Sequence, residues 1–210
     1  MVAKMSKIRQ IVLETLSQQG PLPIETMARA TRRTVLSLRY HLTWLEREGL
    51  IVQQDVDRRG NVGRPQTLYA LADKAHEHLP KQYNALAAQL LDEISDTLGE
   101  KETRGLLRRA GRRVAASAPP VRVGAGAETR LNRTVKFMSE RGYMARWEKT
   151  DGDFLLTVCN CPYRQVAQAH RQVCDMDHAM IATLVDATPR ALTCIANHDG
   201  QCQFLIAKKK

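Results

Sequence analysis

The 210-residue sequence has no apolar run approaching the roughly 18 residues of a membrane span, which argues against a helical membrane protein. Its first residues, Met1-Val-Ala-Lys-Met-Ser, lack the apolar core of a signal peptide, so a cytoplasmic protein is expected. There is no glycine-rich phosphate loop, no H-E-x-x-H pair, and no Ser or Cys nucleophile in a recognisable setting. The acidic pairs Asp151/Asp153 and Asp175/Asp177 read as a turn and a helix face. No enzyme is expected. The five cysteines form neither the C-x₂-C pairs of a zinc ribbon nor a compact ferredoxin run. Internal repeats are also absent.

What is present begins with charge. A net charge of +10 favours an anionic partner, nucleic acid first, although ribosomal or membrane-surface binding fits charge alone. At 43% hydrophobic and 26% charged, the composition is that of a folded soluble chain. In a reducing compartment, an odd number of clustered cysteines points to metal binding or redox sensing rather than structural disulfides.

The spacing of Ile8, Ile11, Val12 and Leu16 predicts a helix over 6–18, ended by Gly20-Pro21-Leu22-Pro23. A second helix follows from Ile24 to about Ala30, then a polar turn at Thr31-Arg32-Arg33. A third helix buries Val35, Leu38, Leu42 and Leu45 and stops at Gly49. Strands at 50–52 and 67–71 enclose a Gly- and Arg-rich turn over 57–65. Three short helices and a hairpin make a winged helix-turn-helix, expected over residues 1–75. Helices at 83–98 and 102–116 form a connecting and dimerisation segment over 76–116, with an apolar stripe (Tyr83, Leu86, Leu90, Leu91, Ile94, Leu98) for a second copy. The small, Pro/Gly-rich stretch 117–127 reads as a flexible linker. An α+β sensor domain is expected over 128–210, with helices at 128–140 and 163–184, strands at 143–148 and 154–159 around an Asp151-Gly152 turn, and a closing hairpin at 190–196 and 203–207. The whole chain is therefore expected to be α+β.

Reading a major groove needs a helix with polar or cationic side chains opposite its core face. On the third helix these are Arg33, Thr34, Ser37, Tyr40 and His41, with Arg39 at the flank. Arg33 suits guanine edges; Arg58, Arg59 and Arg64 at the wing tip suit the minor groove or phosphates. The plain alternative is a solvated face of a small helical domain. The strings Thr34-Val-Leu-Ser-Leu-Arg-Tyr-His-Leu-Thr-Trp-Leu-Glu-Arg-Glu-Gly-Leu-Ile51 and Gly63-Arg-Pro-Gln-Thr-Leu-Tyr-Ala-Leu71 resemble the ArsR/MarR/DeoR-like winged-helix regulators, over about a third of the chain. This resemblance implies fold and DNA binding and leaves the effector open.

In the C-terminal half, Asn160-Cys161-Pro162-Tyr163 lies where a strand passes to a helix, a position that would stabilise a thiolate. Cys174 is expected about three turns along that helix, and Cys202 in the closing hairpin. Asn160-Cys-Pro-Tyr163, Cys174 and Gly200-Gln-Cys-Gln-Phe204 resemble the C-terminal signature of SufR-type repressors. The resemblance implies that Cys161, Cys174 and Cys202 ligate an iron–sulfur cluster of the [4Fe–4S] type. A fourth ligand is unassigned. Cys194 is the leading candidate, with Cys159, His170, His178, His198, a small molecule or solvent as others, although inert burial is the commoner role for Cys159 and Cys194.

The expectation is a homodimeric DNA-binding repressor on a double-stranded operator, controlled by that cluster and, by resemblance, regulating cluster-assembly genes. The alternatives are a regulator of the same fold that senses zinc or thiol oxidation, and a winged-helix protein-interaction module with structural cysteines.

Overall fold

The computed structural model describes residues 5–55 and 67–208, and the chain is a mixed helix and sheet protein in two compact units that divide between Lys81 and Gln82. The wing-tip arginines Arg58, Arg59 and Arg64 lie outside the described residues.

In the first unit, α1 (Lys7–Gln19) is followed by β1 (Leu22–Pro23), α2 (Ile24–Thr31), α3 (Val35–Arg47), β2 (Ile51–Asp55) and β3 (Thr67–Leu71), with a 3₁₀ helix at Asp73–His78. The sheet order is β1-β3-β2, all antiparallel. Val12, Leu13 and Leu16 of α1 meet Met27 of α2 and Leu38, Leu42 and Leu45 of α3 in one core. Two left-handed residues set the turns. Arg32 (φ 53°) lets its own amide and that of Arg33 close α2 onto Arg29 and Ala28 carbonyls, and Gly49 (φ 69°) ends α3. Thr34 caps α3 by accepting the Ser37 amide at 3.2 Å.

The second unit contains α4 (Tyr83–Leu98), α5 (Glu100–Ala116), α6 (Ala127–Ser139), β4 (Ala145–Thr150), β5 (Asp153–Val158), α7 (Arg164–Ala169), α8 (Cys174–Val185), β6 (Arg190–Thr193) and β7 (Cys202–Ile206). Its antiparallel sheet runs β4-β5-β7-β6. Asp151 (φ 33°) and Gly152 (φ 92°) make the tight β4–β5 turn. Leu131, Phe137 and Met138 of α6 pack with Leu156 of β5 and Ile181 and Leu184 of α8.

Three expectations need correction. The stretch 117–127 does not separate two bodies: Ala118 and Ala127 pack on the core, Arg133 donates to the Pro119 carbonyl at 3.0 Å, and the helices on both sides belong to one unit. The helix expected over 163–184 is broken. His170 leaves helical geometry (φ −121°, ψ 84°), a 3₁₀ turn at Arg171–Val173 follows, and α8 restarts at Cys174. No proline or glycine marks that break. The strand expected at 143–148 starts later, at 145–150, because the Tyr143 amide closes the turn after α6 on the Met138 carbonyl, and the strand expected at 154–159 lies at 153–158.

Candidate functional site

In the second unit, the β5–α7 loop, the start of α8 and the β6–β7 connection surround a cavity of about 280 Å³. Cys161, Cys174, Cys194 and Cys202 all line it and are all half-buried. Each is placed by local backbone. Asn160 donates to the Gly142 carbonyl at 2.6 Å, tying down the loop that carries Cys161. The helix break puts Cys174 in the first turn of α8, where its side chain faces the cavity. Cys194 follows β6, its amide held by Asp199 Oδ2 at 2.7 Å. Cys202 opens β7 opposite Val158, and its sulfur accepts the Ile195 amide at 3.2 Å.

The sulfurs of Cys174 and Cys194 are 3.8 Å apart. Cys161 and Cys174 are pushed up to about 12 and Cys202 to about 11, in each case chiefly by burial. For Cys161, the expectation of a helix-stabilised thiolate is overturned. The helix α7 starts only at Arg164, and the one favourable contact, the Tyr163 amide, is outweighed by burial and the nearby Asp177 carboxylate. All three thiols therefore keep their protons at neutral pH in the free chain.

Asp177, read from sequence as a helix face, lines the same cavity. Its Oδ1 accepts the Tyr143 hydroxyl at 2.6 Å, and its Oδ2 lies 3.9 Å from Cys161 Sγ. Burial raises its carboxyl to about 6. A spacing of three residues from Cys174 was the available signal: i and i+3 share a helix face. Arg164, Arg171 and His178 also line the cavity, and His178 packs edge-on against Phe204. The other sequence candidates are elsewhere. Cys159 is exposed and not buried as expected, its sulfur 2.9 Å from Arg146 Nη1. It lies one residue past the end of β5. His170 sits 3.8 Å from Asp92, at the point where the helix breaks, and does not line the cavity. His198 occupies a left-handed turn, also outside the lining.

The donor set suits a group larger than one ion. Thiolates are the iron–sulfur ligands, and the lining sets two arginines, Arg164 and Arg171, against two aspartates, Asp175 and Asp177. Among the described residues, no three His, Cys, Asp or Glu side chains converge closely enough for a single metal ion.

In the first unit, α3 turns Leu38, Leu42 and Leu45 inward. Arg33, Thr34, Arg39 and Tyr40 are exposed as expected for an outward face, whereas Ser37 and His41 are half-buried. Burial, with Arg9 and Arg33 nearby, lowers the His41 pKa, so its ring is neutral at physiological pH. Sequence reasoning missed Leu36, which is 79% exposed beside Tyr40 at 69%. Its spacing of four from Tyr40 was the signal.

No protein-family model matches the chain, and no curated protein matches it. Among solved structures, it is similar to a probable transcriptional regulator from Pseudomonas aeruginosa (22% identity, TM-score 0.33, 51% of this chain and 80% of that chain). It is also similar to a disulfide-formed AbfR (19% identity, TM-score 0.29, 45% and 70%). A third is Bacillus subtilis PadR in complex with operator DNA (15% identity, TM-score 0.29, 66% and 94%). These likenesses are too low to argue from. Among the described residues, no helix is long and apolar enough to cross a membrane.

Proposed function

We propose that this chain is a homodimeric, DNA-binding transcriptional repressor whose operator affinity is governed by a [4Fe–4S] cluster bound to Cys161, Cys174 and Cys202. The observation that carries the reading is the convergence of sulfurs from three separate elements on one cavity. The first unit supports the DNA-binding half. Its element order is that of a winged helix-turn-helix, with α3 as the reading helix and Arg33, Thr34, Arg39 and Tyr40 as its contacts. Ser37 and His41 sit at the edge of that face. Arg58, Arg59 and Arg64 belong to the proposed wing.

Bound there, a cluster supplies metal–thiolate bonds that a change in oxidation or iron supply breaks. The chain's own part is mechanical. Cys161, Cys174 and Cys202 fasten a loop, the start of α8 and the edge of β7 to one point. Helix α8 lies along α5, and Asp175 beside Cys174 pairs with Arg104 and Arg108 of α5 at 3.3 and 3.7 Å. Ala87 and Leu91 of α4 pack on the same small core (Val166, Ala167, Val173 and Ala196) as Cys174 and Cys194. The neighbouring face of α4 leaves Leu86 and Leu90 each 53% exposed, which is the surface proposed to meet a second copy. Order at the sulfurs is thus passed to the helices that would set the spacing of two reading units.

One distance favours a second reading. A separation of 3.8 Å between Cys174 and Cys194 equals the edge of a tetrahedron with metal–sulfur bonds of about 2.3 Å, so a zinc ion is the rival occupant. Anaerobic purification followed by metal analysis and absorbance spectroscopy tests both. About four irons per chain with a band near ~400 nm supports the cluster; colourless zinc protein supports the rival. Salt-sensitive binding to duplex DNA separates either from a protein-interaction module.

A further inference from the structure

Asp177 has no role in the three-sulfur ligand set, yet its surroundings are those of a ligand. It follows Cys174 by one helical turn on α8, so both side chains face the cavity. The carboxylate is held at one end only. Oδ1 takes a short hydrogen bond from Tyr143, whose side chain is 3% exposed and therefore fixed. Oδ2 has the Cys161 thiol at 3.9 Å, too far for a strong hydrogen bond. Among the described residues no arginine or lysine pairs with Asp177; Arg104 and Arg108 are engaged by Asp175 instead. A carboxylate partly withdrawn from water without a cation is costly, and either a proton or a coordinated metal relieves that cost.

The Asp177 charge bears most on Cys161 and more weakly on Cys174 and Cys202, on which Cys194 bears more.

We propose that the Asp177 carboxylate supplies the fourth protein donor to the cluster, through Oδ2, with Tyr143 as the residue that positions it. This rests on the cluster reading above. An oxygen donor is harder than thiolate and holds iron less firmly, so this corner becomes the exchangeable one.

The test uses the full chain, reconstituted anaerobically with ferrous iron and sulfide, with iron counting and electron paramagnetic resonance as readouts. Wild type and Cys194→Ser should each bind four irons with matching spectra. Asp177→Ala should bind three irons and give the oxidised three-iron signal, and Asp177→Cys should restore four with an altered line shape. Asp177→Asn keeps the side-chain shape and is read in the same way if Asp177→Ala does not fold. Four irons and an unchanged spectrum in Asp177→Ala or Asp177→Asn would overturn the assignment, as would loss of one iron in Cys194→Ser. A wild-type protein that binds no iron overturns the cluster reading itself, which the same counting shows separately.

Discussion

Gly111 of α5 lies so close to Met176 of α8 that a Cβ at position 111 would collide with the Met176 carbonyl oxygen. The obstruction is backbone, so it cannot rotate aside. Gly111→Ala should therefore destabilise the second unit by about 1–3 kcal/mol, the ordinary cost of overpacking. Met176 sits between Cys174 and Asp177, so the same variant should also bind metal less tightly than wild type. Urea unfolding and iron titration measure the two effects.

The α3 surface predicts a separation of stability from DNA binding. Leu36→Ala and Tyr40→Ala remove exposed side chains and should change unfolding free energy by no more than about 0.5 kcal/mol. Leu38→Ala, from a fully buried position, should cost about 2–5 kcal/mol. On duplex DNA the order reverses: Tyr40→Ala should weaken binding while remaining as stable as wild type. Urea midpoints alongside fluorescence anisotropy with labelled duplex check both.

The raised thiol pKa values predict alkaline weakening of the metal-free chain. A thiol whose folded pKa is 11 to 12 holds its proton more tightly than the unfolded chain does at its ordinary 9. As pH rises above 9 the unfolded state loses protons first, so stability falls until the folded values are reached. The triple variant Cys161→Ser, Cys174→Ser, Cys202→Ser should lose less stability than wild type between pH 8 and 10.5. Urea midpoints at the two pH values measure the difference. Metal binding must displace these protons, so iron affinity should rise with pH over the same range.

Apolar periodicity made most of this architecture legible. Val12, Leu16, Leu38, Leu42 and Leu45 fall inward as the 3.6-residue spacing requires, and Asp151-Gly152 makes its turn. The meeting of Cys161, Cys174 and Cys202 on one cavity came from a resemblance, since no local spacing links residues 41 positions apart. What escaped were features with no local signature. The break at His170 has no proline or glycine, and its geometry depends on how α7 and α8 pack. Burial at Cys161 outweighs the helix-start effect because tertiary contact, not sequence position, sets desolvation. Asp177 was passed over because a carboxylate pair on a helix usually faces solvent, and only the fold shows that this pair lines the cavity.

The exposed face of α4 predicts the assembly state. Leu86→Glu with Leu90→Glu places charge where an apolar partner face is proposed, and should convert a dimer to a monomer with its helical content intact. Light scattering coupled to size exclusion, with circular dichroism, reads both.

Affinity for operator duplex, measured side by side for anaerobically loaded wild type and Cys174→Ser at one salt concentration, tests the central claim most directly. The expected result is a folded Cys174→Ser protein of native size that holds no chromophore and binds the duplex at least tenfold more weakly, about 1.4 kcal/mol or more. Equal affinity of the two proteins for the duplex would contradict control of DNA binding by the sulfur-lined site.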